Sequence, residues 1–331
     1  MFWILITILG CVLGRLAAGW SAAMLHGMNC GGLLTCRTCE RPVSRLKRWL
    51  WPLPIRCACT SGRIVWHLGS TFSLGGLFLL FTWLLVDQRC QTVSEVQPSI
   101  DVLYARLPFH LSLIFLLWVA TVTDFLDYVI PDEIIYLGLT VAIVAASATG
   151  QLQMIHIWVN WDHAIEGMQG PFLPQWMKDH QHLHGLAWSV GGLFCGAGIT
   201  WCVRFLSHKI LGYPALGFGD VTLMALIGAY LGWQPTLCVL AMAPLTGIVI
   251  GMFVRIATGR SFVAYGPYLA CSAFLVMSSW RWLWADFFSL RDIFSHWPSV
   301  VGLVVFSFVT LIALLFMLRL FRTLPTQSLR R

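Results

Sequence analysis

The sequence is poor in charged side chains. Only 11% of its 331 residues are Asp, Glu, Lys or Arg, whereas soluble domains carry about 25%. Because the deficit extends along the whole chain, a soluble protein and a soluble domain with a single membrane anchor are both excluded. Hydrophobic residues make up 58% of the chain, and its 17 Trp and 21 Phe are typical of lipid-facing surfaces and membrane interfaces. The composition therefore predicts an all-α, polytopic transmembrane helical bundle.

Long apolar segments divide the chain into membrane spans. A helix needs about 20 mostly apolar residues to cross the hydrocarbon core of a bilayer. The boundary between the sixth and seventh segments, at Trp233-Gln234-Pro235, is so tight that the predicted number is eight or nine. With nine, the predicted spans cover residues 2–25, 64–86, 107–126, 134–150, 185–205, 221–233, 235–254, 264–284 and 298–318.

The charge of the loops predicts the orientation of these spans. Cytoplasmic loops of membrane proteins carry an excess of Lys and Arg. The loop between the first two spans has a single acidic residue, Glu40, so we expect it to be cytoplasmic. With nine spans, the net charge of +7 needs no nucleic-acid partner, because several later basic residues fall on the same side, namely Lys209, Arg255, Arg260, Arg319, Arg322, Arg330 and Arg331. The basic residues of this loop are Arg37, Arg41, Arg45, Lys47, Arg48, Arg56 and Arg63.

Two acidic residues are predicted at span ends on one membrane face. Because charge within a membrane is costly, acidic residues there usually mark a functional site. Asp124 ends the third predicted span, and Asp220 directly precedes the sixth. Gly217 and Gly219 let the backbone beside Asp220 adopt conformations that other residues resist. Two facing carboxylates, one protonated and one ionised, are what aspartyl hydrolysis of a peptide bond requires.

The same residues also have structural interpretations. Asp132 and Asp220 could cap the helices that begin there, and Asp127 could be a solvated residue at a helix end. A transporter that binds a cation or a proton would also hold carboxylates in its bundle. Such a transporter requires polar partners at mid-depth, which are few in the third and sixth predicted spans.

Three motifs, in this order, resemble those of the type IV prepilin peptidases, membrane aspartyl proteases of the GxGD type. The first is an Asp followed eight positions later by the Asp of a Pro-Asp pair, matched by Asp124 and Pro131-Asp132. The second motif, Gly-x-Gly-Asp, is matched by Gly217-Phe218-Gly219-Asp220. The third, Phe/Tyr-Gly-Pro-x-Leu-Ala, is matched by Tyr265-Gly266-Pro267-Tyr268-Leu269-Ala270. The resemblance covers residues 107–285.

The resemblance implies both a function and a site. It implies cleavage of the leader peptide of type IV prepilins or pseudopilins at the cytoplasmic face of a bacterial inner membrane, with no cofactor for the peptidase step. A departure lies at Thr222, where the family usually has a Lys. The alternative is a non-catalytic assembly factor of a pilus or secretion system. The implied catalytic residues are Asp124 and Asp220, supported by Gly217, Gly219, Pro131, Asp132, Gly266 and Pro267.

The basic loop after the first span resembles a cysteine-bearing segment of many bacterial members. That segment has two Cys-x-x-Cys pairs, linked to zinc and to N-methylation of the new N-terminus. This chain has Cys36-x-x-Cys39 but then Cys57-x-Cys59, which is one residue short. Four thiolates suit tetrahedral zinc, so a zinc site is predicted, with metal-free reduced cysteines as the alternative. S-adenosylmethionine is implied only if methyl transfer is retained.

These features divide the chain into four parts. Residues 1–63 form the first span and the basic cysteine-bearing segment, and residues 64–106 form the second span and an outer loop. Residues 107–285 form the core that resembles prepilin peptidases, and residues 286–331 form the last span and a basic tail.

A second outer loop, 151–184, contains alternating histidines at its end. The run Asp179-His180-Gln181-His182-Leu183-His184 could bind a metal ion or could be merely polar and exposed.

Overall fold

The computed structural model describes residues 1–25, 63–159, 173–259 and 264–323. Regular structure in these ranges is helical, which confirms the all-α prediction. A short π-helical turn, Trp282–Asp286, follows the helix that ends at Arg281. The helices described are α1 (Phe2–Leu25), α2 (Arg63–Val86), α3 (Ile100–Asp127), α4 (Asp132–Thr149), α5 (Gln175–Asp179), α6 (Gln181–Leu211), α7 (Phe218–Leu231), α8 (Trp233–Thr258), α9 (Gly266–Arg281), α10 (Leu290–Ser295) and α11 (Trp297–Thr323).

Seven helices within the described ranges are long and apolar enough to cross a membrane, namely α1, α2, α3, α4, α6, α8 and α11. The other two predicted spans form shorter helices, α7 with 14 residues and α9 with 16. Helix α7 ends at Leu231 and is followed by its C-cap Gly232, whose φ of 81° favours glycine. Helix α9 loses helical geometry at Ser279 and passes into the π-helical turn. Length and composition thus support seven spans, where eight or nine were predicted.

Helices α6 and α7 pack through their backbones. A Cβ atom on Gly192 of α6 would collide with the carbonyl oxygen of Gly228 in α7, and the reverse substitution would collide in the same way. Gly196 and Gly232 continue the contact one turn further along each helix. Both helices therefore have the G-x-x-x-G spacing that permits close helix packing in membranes. The contact fixes the position of α7, and with it the start of that helix.

Helices α1 and α2 form a second close pair. A Cβ on Gly14 would lie 2.5 Å from the carbonyl oxygen of Ser70. The Ser70 hydroxyl donates a hydrogen bond of 2.8 Å to the Gly14 carbonyl oxygen, and it accepts one of 2.7 Å from Trp118 Nε1. Since Trp118 belongs to α3, this bond joins the pair to the rest of the bundle.

Chain direction and contacts define two ends of the bundle. The C-terminal end of α3 meets the N-terminal ends of α7 and α9 at one end, which we call the motif end. The other end, which we call the opposite end, contains the start of α3 and the segment 150–159. Because α3 has 28 residues, its two termini are about 40 Å apart.

Candidate active site

The first carboxylate of the candidate site lies in the last turn of α3. Asp124 is 7% exposed, and its Oδ2 accepts a hydrogen bond of 2.9 Å from the backbone N–H of Gly266, the first residue of α9. A Cβ on Gly266 would lie 2.5 Å from that oxygen and 3.1 Å from Cγ. Only glycine therefore allows this carboxylate to approach the start of α9, whose free N–H groups favour negative charge.

The second carboxylate lies in the first turn of α7. Asp220 is 8% exposed, and its Oδ2 accepts a hydrogen bond of 2.9 Å from the backbone N–H of Gly217. Gly217 is the N-cap of α7, so Asp220 has the capping role considered from the sequence. This bond also fixes the direction in which the carboxylate points.

The two carboxylates lie close enough to interact electrostatically. The charge of Asp124 acts on Asp220, as does that of Arg204 in α6, whose guanidinium donates a hydrogen bond to the Leu216 carbonyl oxygen. The partly buried phenol of Tyr265 also lies within range of Asp220. Sequence reasoning assigned no role to Arg204, although a basic residue at the end of an apolar span was a usable signal.

A further contact joins the first motif to the second. A Cβ on Gly219 would lie 3.2 Å from Cβ of Ile130, which precedes Pro131 between α3 and α4. Pro131 is buried and is the N-cap of α4. The three motifs, far apart in sequence, therefore meet at the motif end.

Other predicted residues lie at the edge of this cluster. Asp127 and Asp132 are both exposed, and Pro131, rather than Asp132, occupies the N-cap position of α4. The capping interpretation of Asp132 is therefore wrong, since it is the first helical residue. Thr222, which stands where the family has a Lys, donates a hydrogen bond of 3.0 Å to the Gly219 carbonyl oxygen.

No cluster of three or more His, Cys, Asp or Glu side chains that could hold a metal ion occurs in the described ranges. The histidines of the predicted outer loop contact different groups. His182 Nδ1 lies 2.8 Å from the Ser147 carbonyl oxygen, whereas His184 Nε2 accepts a hydrogen bond of 3.3 Å from the Ile157 N–H. The predicted zinc ligands Cys36, Cys39, Cys57 and Cys59 lie outside the described residues.

An apolar pocket of about 330 Å³ lies beside the carboxylate pair. It opens between α2, α3, α8 and α9, and its lining includes Trp118, Thr121, Phe125, Pro267 and Phe274. Thr121 and Phe125 flank Asp124 on α3, and Pro267 follows Gly266. The pocket is therefore lined by sequence neighbours of the site residues, and its apolar lining suits an apolar side chain or helix segment.

Fold and site together define a multi-pass membrane protein with two buried carboxylates within electrostatic range of each other at one end of its bundle. Residues 111–252 match the model of the type IV leader peptidase family. The matched range includes Asp124 and Asp220 and ends before Gly266. The resemblance found in the motifs is thus confirmed.

Curated relatives extend the similarity beyond that range. A prepilin leader peptidase/N-methyltransferase of Aeromonas salmonicida is 24% identical over 228 residues, which cover 62% of this chain and 66% of the relative. One of Pseudomonas aeruginosa is 23% identical over 255 residues, covering 76% and 62%. One of Escherichia coli is 31% identical over 97 residues, covering 29% and 43%. The chain thus spans less than two thirds of the length of these relatives. No solved structure matches.

Proposed function

We propose that this chain is an aspartyl endopeptidase that removes the leader peptide of prepilins or pseudopilins. The observation that carries the proposal is the pair Asp124 and Asp220, two buried carboxylates brought together by three sequence motifs. The match of residues 111–252 to the type IV leader peptidase family supports it, as do the relatives named prepilin leader peptidase/N-methyltransferase. We place the peptidase core at 107–285, which adds Gly266 to the family range.

The proposed mechanism uses the two carboxylates as a unit with one proton between them. The ionised carboxylate takes a proton from water as the water oxygen attacks the scissile carbonyl carbon, and the protonated one donates to the carbonyl oxygen. Proton transfer to the amide nitrogen then lets the C–N bond break. Each carboxylate is held through Oδ2 by a backbone N–H, from Gly266 or Gly217. Within the described residues, this leaves Oδ1 of each available for water and substrate.

Co-expression with a prepilin tests the proposal directly. We expect the wild-type chain to convert the prepilin to a shorter form, seen as a mobility shift on a gel. A prepilin that keeps its full length beside well-expressed, membrane-inserted protein would contradict the proposal. Neither a non-catalytic assembly factor nor a transporter is favoured by an observation of comparable weight.

We infer that the motif end faces the cytoplasm of a bacterial inner membrane. The C-terminal end of α2 lies at the opposite end, where the Arg281 N–H donates a hydrogen bond of 2.7 Å to the Cys90 carbonyl oxygen. The start of α2, which follows the basic segment 26–62 in the sequence, therefore lies on the side of the carboxylate pair. Lys209 and Arg255 lie on that side too, as the positive-inside rule requires. A topology reporter fused near residue 45 that reported the outside would contradict this orientation.

We also propose a zinc ion held by Cys36, Cys39, Cys57 and Cys59, with N-methylation through S-adenosylmethionine as a second activity of the same protein. Support comes from the cysteine pattern and from the printed names of the relatives. Metal analysis of the purified protein is expected to find zinc that is lost in Cys36→Ser/Cys39→Ser, and equal zinc in both samples would contradict the site. The peptidase step needs no metal, so leader cleavage is expected to survive in part.

We expect the apolar pocket to bind the apolar part of the substrate. The implied cleavage point lies between a basic leader and a hydrophobic helix, so the first apolar turns of that helix would lie against Thr121, Phe125 and Pro267. Filling the pocket with Thr121→Phe is expected to reduce kcat/KM by roughly tenfold, because the lost contacts are of the order of one or two side chains. Kinetics on a purified prepilin measure the effect.

Thr140→Phe is the matched control for this prediction. Thr140 is an exposed α4 residue whose hydroxyl, like those of many helical threonines, bonds only within its own helix. We expect it to leave cleavage unchanged. Equal rates for the two variants would show that the apolar pocket does not receive the substrate.

A further inference from the structure

The opposite end of the bundle contains a second pocket, remote from the carboxylate pair. It encloses about 370 Å³ and is lined by the start of α3, the segment 150–156 and the α5–α6 region. Arg106 lines it and lies 18 residues before Asp124 on α3, which is roughly 27 Å along the helix. We call it the opposite-end pocket. Its ionisable or amide-bearing lining residues include Glu95, Arg106, Gln153, His156, Lys178 and His184.

Arg106 is the most unusual residue of this pocket. It is 1% exposed, and its Nε and Nη2 donate long hydrogen bonds of 3.4 and 3.3 Å to the Gln151 carbonyl oxygen. Its Nη1 is buried and has no partner within the described residues, nor does a carboxylate in those ranges lie within ion-pair distance. A buried guanidinium without an anionic partner is costly. The position therefore calls for an anion that the described residues do not supply.

The acidic residue of the pocket is already engaged. Glu95 Oε1 accepts a hydrogen bond of 2.8 Å from Trp284 Nε1, and its Oε2 accepts one of 2.7 Å from Ser94. The carboxylate is thereby held by neutral donors, not by Arg106. Lys178 is exposed at the entrance and adds a second positive charge. The fixed charge of the pocket, two cations against one carboxylate, favours an anionic ligand.

Two further polar atoms of the pocket are buried without partners among the described residues, Gln153 Oε1 and His156 Nδ1. Burial, with the neighbouring His184 and Arg106, lowers the pKa of His156 to about 4, although the Glu95 backbone opposes the shift. His156 is therefore neutral at pH 7 and has one nitrogen that can accept a hydrogen bond. A ligand that carries both oxygen anions and a hydroxyl or ammonium donor would satisfy all three groups.

We propose that the opposite-end pocket binds a phosphate group, with Arg106 as its anchor and Lys178 at its entrance. Phosphate offers oxygens in several directions, so it can meet a guanidinium and an ammonium at once. Val102, Leu173 and Met177 also line the pocket, so the group bearing the phosphate has apolar surface to contact. The phosphate comes either from the headgroup of a phospholipid in the leaflet at this end or from a soluble phosphate. The site is independent of leader cleavage.

Thermal unfolding of the purified full chain in detergent tests this site. The probes are inorganic phosphate, compared with chloride at equal ionic strength, and phosphatidylglycerol, compared with a neutral diacylglycerol. We expect at least one phosphate probe to raise the unfolding midpoint of the wild type, and Arg106→Gln to weaken its binding by roughly thirtyfold or more. Stabilisation by the lipid alone assigns the pocket to a headgroup, whereas stabilisation by inorganic phosphate assigns it to a soluble ligand.

Matched variants separate binding from general damage. Arg281→Gln removes an arginine at the same end that pairs with Asp286 at 3.4 Å outside the pocket, and it is expected to keep the response. Lys178→Gln should weaken binding several-fold, whereas Lys209→Gln, an exposed lysine at the motif end, should not. The proposal would be overturned if the wild type responded to neither probe, or if Arg106→Gln responded like the wild type. If Arg106→Gln does not fold, the comparison of Lys178→Gln with Lys209→Gln tests the site instead. In that case, a response of Lys178→Gln equal to that of the wild type would overturn the proposal.

Discussion

Asp124→Asn and Asp220→Asn are each expected to slow leader cleavage by roughly 10³-fold or more while leaving the protein folded and inserted. Asparagine keeps the shape of the side chain and can accept the hydrogen bond from Gly266 or Gly217, but it cannot ionise. The substitution therefore removes acid–base function and spares the packing of the motif end. Initial rates on a purified prepilin measure the loss, and the unfolding midpoint reports that the fold is intact.

The exposed Asp127 is the matched control for the carboxylate pair. Asp127 lies one turn beyond Asp124 on the same helix, and Asp127→Asn is expected to change the rate of leader cleavage only slightly. The double variant Asp124→Asn/Asp220→Asn should be no slower than the slower single variant, because groups that act as a unit are not additive. Full loss in Asp127→Asn together with activity in Asp124→Asn would show that the first catalytic role belongs to Asp127.

The rate should also pass through a maximum with pH. A pair of carboxylates works with one proton between them, so activity falls when both are ionised and when both are protonated. The two apparent pKa values belong to the pair and not to either residue.

Gly228→Val is expected to destabilise the protein by roughly 3 kcal/mol and to abolish cleavage with it. The new side chain would meet the Gly192 carbonyl and the Leu193 backbone nitrogen, which lie 3.2 Å or less from the added Cβ. No rotamer change relieves a clash with backbone, so α6 and α7 must separate. Since Asp220 lies in the first turn of α7, the separation also displaces one of the two proposed catalytic carboxylates. Thermal unfolding in detergent and the cleavage rate measure the two effects.

Gly198→Val is the control for this substitution. Gly198 lies in α6, is exposed, and has nothing within 4 Å of an added Cβ. Both variants make the same change in helix propensity, so the difference between their unfolding midpoints isolates the helix contact. Equal midpoints would show that the glycine packing of α6 and α7 contributes little.

Hydropathy and motif spacing were sufficient to predict most of the fold. Each of the nine predicted spans corresponds to a helix within the described ranges. Composition could not show that α7 and α9 are short, because their ends depend on backbone geometry at Gly232 and Ser279. The glycine contact of α6 and α7 was also missed, although both G-x-x-x-G patterns stand in the sequence. Glycine in an apolar span looks like any small residue until a partner helix is known.

The sequence predicted the two carboxylates of the candidate site but not the residues that surround them. Charged residues in apolar spans are rare, so Asp124 and Asp220 were conspicuous, whereas Tyr265 and Arg204 reach the site only through the packing of other helices. Residues 181–184, predicted as the end of an outer loop, form the first turn of α6. Because α6 begins at Gln181, the spacing of His182 and His184 places them on different sides of a helix. His182 therefore bonds to the end of α4, whereas His184 lines the opposite-end pocket.

The intact mass of a co-expressed prepilin shows whether this chain cleaves leader peptides with Asp124 and Asp220. We expect a mass that has lost the leader beside the wild-type chain and a full-length mass beside Asp220→Asn at equal expression. A prepilin expressed without this chain should stay at full length and so controls for host proteases. Complete leader loss beside Asp220→Asn would contradict the proposed role of the carboxylate pair.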